Sequence, residues 1–223
     1  MMKQSLLFLL CAVLTRVALG QSSSEESNDS RRGKVGISVS GVRTMFSYKS
    51  AAYVLVDSTQ ELGTSDFRNA TGIAGGVTFR KPLREGWSFR AAFEGVVTSP
   101  FIEFDSQVNY RERSIVFPLT VELPMMLIRH LKPALALGHE VGIGIRPAMA
   151  IPGGQPAFPK LKQYYFCIDA SYGVALQRPK SEVRCELFAS YCPINLIGTG
   201  SDYKTQSITN IRRNMIGVRF IFD

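Results

Sequence analysis

Two histidines, four cysteines and a set of arginines and carboxylates are the residues of this chain whose types could do chemistry. Hydrolysis by a serine nucleophile needs a histidine within reach of a hydroxyl and an acid that orients the ring. His130 sits in the run Arg129-His130-Leu131-Lys132, and His139 is followed by Glu140 and Val141. Neither has a serine beside it, and no Gly-x-Ser-x-Gly or His-Glu-x-x-His pattern occurs. Glu94 and Arg90, four residues apart, read as a structural pair rather than an acid and a base. The expectation is a protein that is not an enzyme and carries no cofactor and no metal.

What must position these residues is set by a different spacing. In Phe166 to Gln177 every second residue is apolar: Phe166, Ile168, Ala170, Tyr172, Val174, Leu176. A period of two is a β-strand with two unlike faces. Seven more such segments follow the same rule. They are KVGISVSGV from Lys34, GIAGGVTFR from Gly72, WSFRAAFEGVV from Trp87, RSIVFPLTVEL from Arg113, ALALGHEVGIGI from Ala134, EVRCELFASY from Glu182 and RNMIGVRFIF from Arg213. No amphipathic helix of ten or more residues lies between them.

The connections alternate in length. Short turns are expected around KPLREG, MLIRHLK and RPKS. Longer ones run from Tyr48 to Asn69, Ser99 to Asn109, Met149 to Gln163 and Pro193 to Gln206. An even strand number with alternating short and long connections matches an all-β, eight-stranded antiparallel up-and-down transmembrane β-barrel, with short periplasmic turns and long external loops. Large aromatics near strand ends, among them Trp87, Phe79, Tyr165, Tyr191 and Phe222, suit interfacial girdles.

The start of the chain agrees with export. Lys3, the apolar run Ser5 to Leu14 and the small residues Ala18-Leu19-Gly20 read as a secretory signal peptide over residues 1–20. Residues 21–32 read as a polar disordered leader and residues 33–223 as the barrel. Loss of Lys3 and Arg16 lowers the formal charge from +8 to +6. No long Lys/Arg run or basic stripe interleaved with aromatics occurs, which argues against nucleic acid as a partner. The expected partners are outer-membrane lipid and other envelope or secretion-system proteins.

The face opposite the apolar one carries Arg80, Arg90, Glu94, Glu122, Glu140, Arg146, Asp169, Arg184, Glu186 and Arg219, with Glu112 and Arg213 at the same parity. Both signs are present, interleaved with Gly, Ser, Ala and Thr. Such a set fits a narrow barrel interior filled by paired charges, without an open pore. The rival reading is a secreted soluble barrel of the lipocalin kind, with the apolar face turned inward around a ligand. A second rival is a lipid-modifying outer-membrane enzyme. Two residues break the pattern. His139 falls on the apolar face, and a bulge near Gly138 is expected to re-aim it. Pro118 cannot donate a ladder bond, so a second bulge is expected there.

Pairing about a turn near Pro179-Lys180 places Leu176 opposite Val183 and Cys167 opposite Cys192. A cross-strand disulfide between those two cysteines and a pair of free buried thiols both remain open. Cys185 has the parity of the apolar face and is expected unpaired. Lys81, Arg84, Arg129, Lys132, Arg178 and Lys180 would form a basic periplasmic rim able to meet an acidic partner or lipid head groups.

The segment Asn109 to Ile145 resembles a passage of PorT-like outer-membrane β-barrels of Bacteroidetes. The matching residues are Tyr110, Phe117-Pro118-Leu119, Lys132-Pro133, Gly138 and Gly142. The likeness extends loosely over Gly33 to Asp223. It departs at the end, where Asp223 follows the aromatic Phe222 that assembly machinery would read. The resemblance implies a barrel in the outer membrane and an accessory role in protein secretion or envelope assembly.

Overall fold

The computed structural model describes residues 33–50, 54–57, 60–106, 111–115, 119–134, 137–151, 161–178, 181–199 and 208–223. The expected signal peptide and leader lie outside the described residues. Thirteen strands follow in order: β1 (Lys34–Ser50), β2 (Val54–Asp57), β3 (Gln60–Arg68), β4 (Ala70–Pro82), β5 (Trp87–Thr98), β6 (Phe101–Ser106), β7 (Arg111–Ile115), β8 (Leu119–Glu122), β9 (Met125–Ala134), β10 (Leu137–Ile151), β11 (Tyr164–Arg178), β12 (Ser181–Tyr191) and β13 (Ile208–Phe222). Every pairing is antiparallel.

The larger sheet closes on itself. β1 pairs with β4 on one side and β13 on the other, and the ladder continues through β5, then β8 and β9, then β10, β11 and β12 back to β13. β8 and β9 share both neighbours, so they are one stave of the ring. The break between them is Pro124, which has no N–H to give. Register runs straight through it. Glu94 faces Glu122 on one side and Arg90 faces Met126 on the other. Leu123 N–H donates to Pro147 O at 2.9 Å, and Pro124 O accepts from Ala92 N–H at 2.9 Å. Among the described residues, eight antiparallel staves therefore close the ring, which removes free sheet edges.

A regular period of two sends alternate side chains to opposite faces. The outer face carries Val35, Ile37, Val39, Ile73, Val77, Phe93, Ile143, Ile145, Leu187 and Phe220, all exposed. The inner face carries the charges. At the end where the long connections lie, the inner face turns apolar. Phe46, Ile102, Tyr165, Cys167, Cys192, Leu196, Ile208 and Ile211 are buried together there. Segment Cys192–Ile197 is tied to β13: Leu196 N–H donates to Ile211 O at 2.9 Å, and Asn195 Oδ1 accepts from Ile211 N–H at 3.1 Å.

Several expectations need correction. MLIRHLK is not a turn; it belongs to β9, and the hairpin to β10 pairs Ala134 with Leu137. Two of the long connections contain strands. β3 and β6 prolong the pairing of β4 and β5, with Arg68 facing Phe101, and β2 and β7 flank them in a second, four-stranded sheet. β7 holds Arg111–Ile115, of which Arg113–Ile115 are expected in the fourth ring strand, and Glu112 lies outside the ring, opposite Phe104. The bulge expected at Pro118 lies outside the described residues. Register does shift between Leu137 and His139. His139 nevertheless keeps the outer face, where its Nδ1 is 2.8 Å from the Tyr172 hydroxyl. That hydrogen bond, not a re-aimed side chain, accommodates the imidazole.

Candidate functional site

The inner face is lined with ion pairs in two clusters. All ten charged residues assigned to it from parity are buried, and so is Arg213. Arg146, on β10, is the hub. Its Nε donates to Asp169 Oδ2 at 2.8 Å, and its Nη1 reaches Glu122 at 2.8 Å and Glu94 at 3.2 Å. From Glu122 the lattice runs to Arg213 Nη1 at 2.6 Å, which also donates to the Tyr165 hydroxyl at 2.6 Å. From Glu94 it runs to Arg219 at 3.0 Å, then to Glu186 at 3.3 Å, then to Arg90 at 2.6 Å. Ser38 and Thr120 hydroxyls donate to Glu94 and Glu122.

One aromatic ring lies inside the lattice. The guanidinium carbons of Arg219 and Arg146 lie 4.5 and 5.1 Å from the Phe188 centroid, within cation–π range. Phe188 has that place because residue 217 is glycine. A Cβ there would come within 2.7 Å of the Phe188 ring and 2.6 Å of Gly41 O. Buried pairs of this kind roughly offset their own desolvation. The lattice is therefore chiefly a means of filling the ring in one arrangement.

A second cluster sits at the opposite end from the apolar cap, where β1 begins and β13 ends. Arg80 Nη1 reaches Glu182 at 3.4 Å and its Nη2 reaches Glu140 at 3.1 Å. Arg184 Nη2 reaches Glu182 at 2.7 Å, and Arg184 Nη1 meets Asp223. Glu182 and Asp223 also exchange backbone hydrogen bonds at 3.2 and 3.0 Å, which ties the last residue to β12. Burial pushes the Asp223 carboxyl above its ordinary range, against the pull of Arg80, Lys34 and Arg90.

His130, from β9, enters this cluster rather than a turn. Its Nδ1 is 3.0 Å from Glu140 Oε1, and its Nε2 is 3.2 Å from Ser88 Oγ. Those are the residue types and contacts of a hydrolytic triad. The remaining geometry opposes that use. Arg80 Nη2 donates to the same Nε2 at 2.5 Å. A proton taken from Ser88 onto Nε2 would face a guanidinium. Ser88 itself is 1% exposed. Ser88 and His130 thus complete the hydrogen bonding of Arg80, whose Nε donates to Ser88 Oγ at 3.1 Å. Sequence reading missed this contact because Ser88 and His130 lie on neighbouring staves, 42 positions apart.

Cys167 and Cys192 are joined as a disulfide, with Cα atoms 4.0 Å apart, and Cys185 is free and exposed. The bridge lies within the apolar cap. The register around it pairs Leu176 with Val183 and Ile168 with Tyr191.

Of the basic residues expected in short turns, Arg84 alone lies in a turn among the described residues. Lys81 is the penultimate residue of β4, Arg178 is the last of β11, and Arg129 and Lys132 lie along β9. Arg129 is on the outer face, with its guanidinium 5.1 Å from the Trp87 ring. Arg84 is exposed in the turn between β4 and β5. That turn is closed by Glu85 and Gly86 at positive φ, 58° and 75°. Lys180 lies outside the described residues. Among the described residues no group of three His, Cys, Asp or Glu converges on a metal site, and no helix is long and apolar enough to cross a membrane.

No family model matches the sequence, and no curated protein matches it. Two solved structures are similar to it in fold. The outer membrane protein OprG from Pseudomonas aeruginosa is similar over 84% of this chain and 93% of its own, at 11% identity and a TM-score of 0.44. Neisserial surface protein A (NspA) is similar over 85% of this chain and 97% of its own, at 10% identity and a TM-score of 0.45.

Proposed function

We propose that this chain is a transmembrane barrel of a bacterial outer membrane, a non-enzymatic envelope component that serves as an accessory to protein secretion or envelope assembly. One observation carries the membrane reading. The polarity of the ring is reversed relative to a water-soluble barrel. Six arginines on its inner face are buried, while valine, isoleucine, leucine and phenylalanine face outward on all eight staves. In water such a face is a very large apolar patch, far beyond what a soluble monomer carries. In a bilayer it is the surface a membrane barrel needs, and ring closure gives each described stave a hydrogen-bonded neighbour on both sides. The same observation opposes a lipocalin-like carrier, whose interior would have to be apolar.

The secretion role rests on the PorT-like resemblance of Asn109 to Ile145 and on chemistry at the two ends. Long connections at one end and the exposed turn around Arg84 at the other are the parts a partner could touch. Electrophoresis in SDS with and without boiling tests the membrane reading. The folded chain from the membrane fraction is expected to migrate faster before boiling. A chain recovered in the soluble fraction with no shift contradicts it. The accessory role predicts that crosslinking in cells captures a secretion or assembly component, and that deletion lowers export to the surface. Normal export in the deletion strain contradicts that role.

A further inference from the structure

The wall formed by β11, β12, β13, β1 and β4 is not evenly padded. Following the registers across it, one row reads Tyr172, Leu187, Val218, Gly41, Ile73. The next row toward the loop end reads Ala170, Ala189, Ile216, Arg43, Thr71. Gly41, Ala170 and Ala189 leave gaps in these rows, while Tyr172, Leu187, Ile216 and Val218 stand beside them. The result is an outward-facing groove of about 760 Å³ whose lining is overwhelmingly apolar. That volume falls within the roughly 300–1,000 Å³ range of small-molecule sites. It is also open to whatever surrounds the barrel.

Arg43 forms part of the same groove. It is exposed, and it has no ion-pair or hydrogen-bond partner among the described residues. It lies one row below the level of Tyr191 and Asn214, in a wall that otherwise faces lipid. An unpaired arginine there is costly unless its guanidinium reaches the interface, where water or a head-group anion can meet it. Further along β1 and β13, Arg212 and Lys49 extend the positive charge toward the loop end. Arg212 stands opposite Ser47, four residues beyond Arg43 on β1, which is about 13 Å of strand. No aspartate or glutamate occurs in β1, β4 or β13 to balance them.

An apolar groove below and separated cations above are complementary to one kind of molecule. We propose that this wall binds a bis-phosphorylated, acylated glycolipid of the loop-side leaflet. Its acyl chain lies over Gly41 and Ala189, and its phosphates meet Arg43 and Arg212. Two cations spaced along the wall fit two separated phosphates better than the single phosphate of a glycerophospholipid. This inference rests on the membrane reading above.

The test is native mass spectrometry of the full chain in a mild detergent, with bis-phosphorylated lipid A, its fully dephosphorylated form and phosphatidylglycerol as probes. Boiling-dependent gel mobility is recorded for every variant, so a failure of the barrel reading shows separately from a failure of the groove. The wild type is expected to retain lipid A and to hold the dephosphorylated form and phosphatidylglycerol at least ten-fold more weakly. Arg43→Gln with Arg212→Gln is expected to lower lipid A retention about ten-fold. Gly41→Leu fills the groove without touching a neighbour, since a Cβ there meets nothing within 4 Å, and is expected to lower it several-fold. Equal retention of all three lipids, or unchanged retention in folded variants, overturns the proposal. A wild-type chain that shows no gel shift overturns the membrane reading and the groove assignment with it.

Discussion

The two ends of the ring's interior solve the same filling problem with opposite chemistry. Toward the chain termini the space is occupied by Arg80, Arg90, Arg184 and Arg219 with their carboxylates. Toward the long connections it is occupied by Phe46, Ile102, Leu196, Ile208 and Ile211 around a disulfide. Arg146 and Arg213 stand between the two, and the Tyr165 hydroxyl joins the cap to the lattice. The lattice is directional, so each member depends on several others. The apolar cap is held by non-directional packing, so losing one member leaves no charge unpaired. The comparison teaches that the ions define one arrangement, whereas the cap and its covalent bridge close the end.

The largest effect is expected from Arg146→Leu, which leaves Glu94, Glu122 and Asp169 without their shared partner. Removing one member of a buried ion network costs about 3–5 kcal/mol. Urea unfolding followed by the loss of boiling-dependent gel mobility measures it. A cost below that of a cap substitution would erase the distinction between the two ends. Next comes the bridge. Cys167→Ala with Cys192→Ala is expected to cost about 2–4 kcal/mol and to leave the ion lattice intact. A lattice disturbed by that change, seen as altered side-chain resonances of Arg90 and Arg219, would join the two regions into one.

Leu196→Ala, in the cap and fully buried, is expected to cost about 2–3 kcal/mol in the same urea assay. Combined with Arg146→Leu it should be close to additive, because Leu196 belongs to the cap cluster and Arg146 to the ion lattice. Strong coupling between them would show that cap and lattice fold as a unit. The smallest effect belongs to Lys34→Gln. Its partner is Glu182 at 3.3 Å, but the lysine side chain is 51% exposed. Such a pair is worth about 0–1 kcal/mol. A larger loss would mean that the terminal cluster, not the Arg146 hub, anchors the lattice.

The alternation of faces was legible because a one-to-one register preserves parity along each stave. Arg80, Glu94, Arg146, Asp169 and Arg219 could therefore be assigned inward from spacing alone. Pairing about one hairpin likewise brought Cys167 to Cys192. The extent of β9 was not legible. Its residues are apolar on both faces, with Met126 and Ile128 inward and Leu127 and Leu131 outward, so the period of two vanishes. Its Arg-His-Lys stretch then reads as a turn, while the hairpin falls beside the apolar Ala134 and Leu137. β3 was hidden for a related reason. The sequence QELGTSDFR has no apolar face to alternate with, because that strand lies beyond the ring. The Ser88, His130 and Glu140 cluster needed three staves brought together, which no local pattern reports.

The central claim is that the outer face meets lipid, and the chain's single tryptophan can report it. Trp87 opens β5 at the outer face, half-buried beside Arg129. The measurement is its fluorescence in vesicles of lipids brominated at defined acyl positions. Strong quenching is predicted, greatest for bromines near the head groups, because Trp87 marks the interfacial level of the wall. Fluorescence unchanged by brominated lipid at every depth, in protein shown to be folded, would contradict a lipid-facing outer wall.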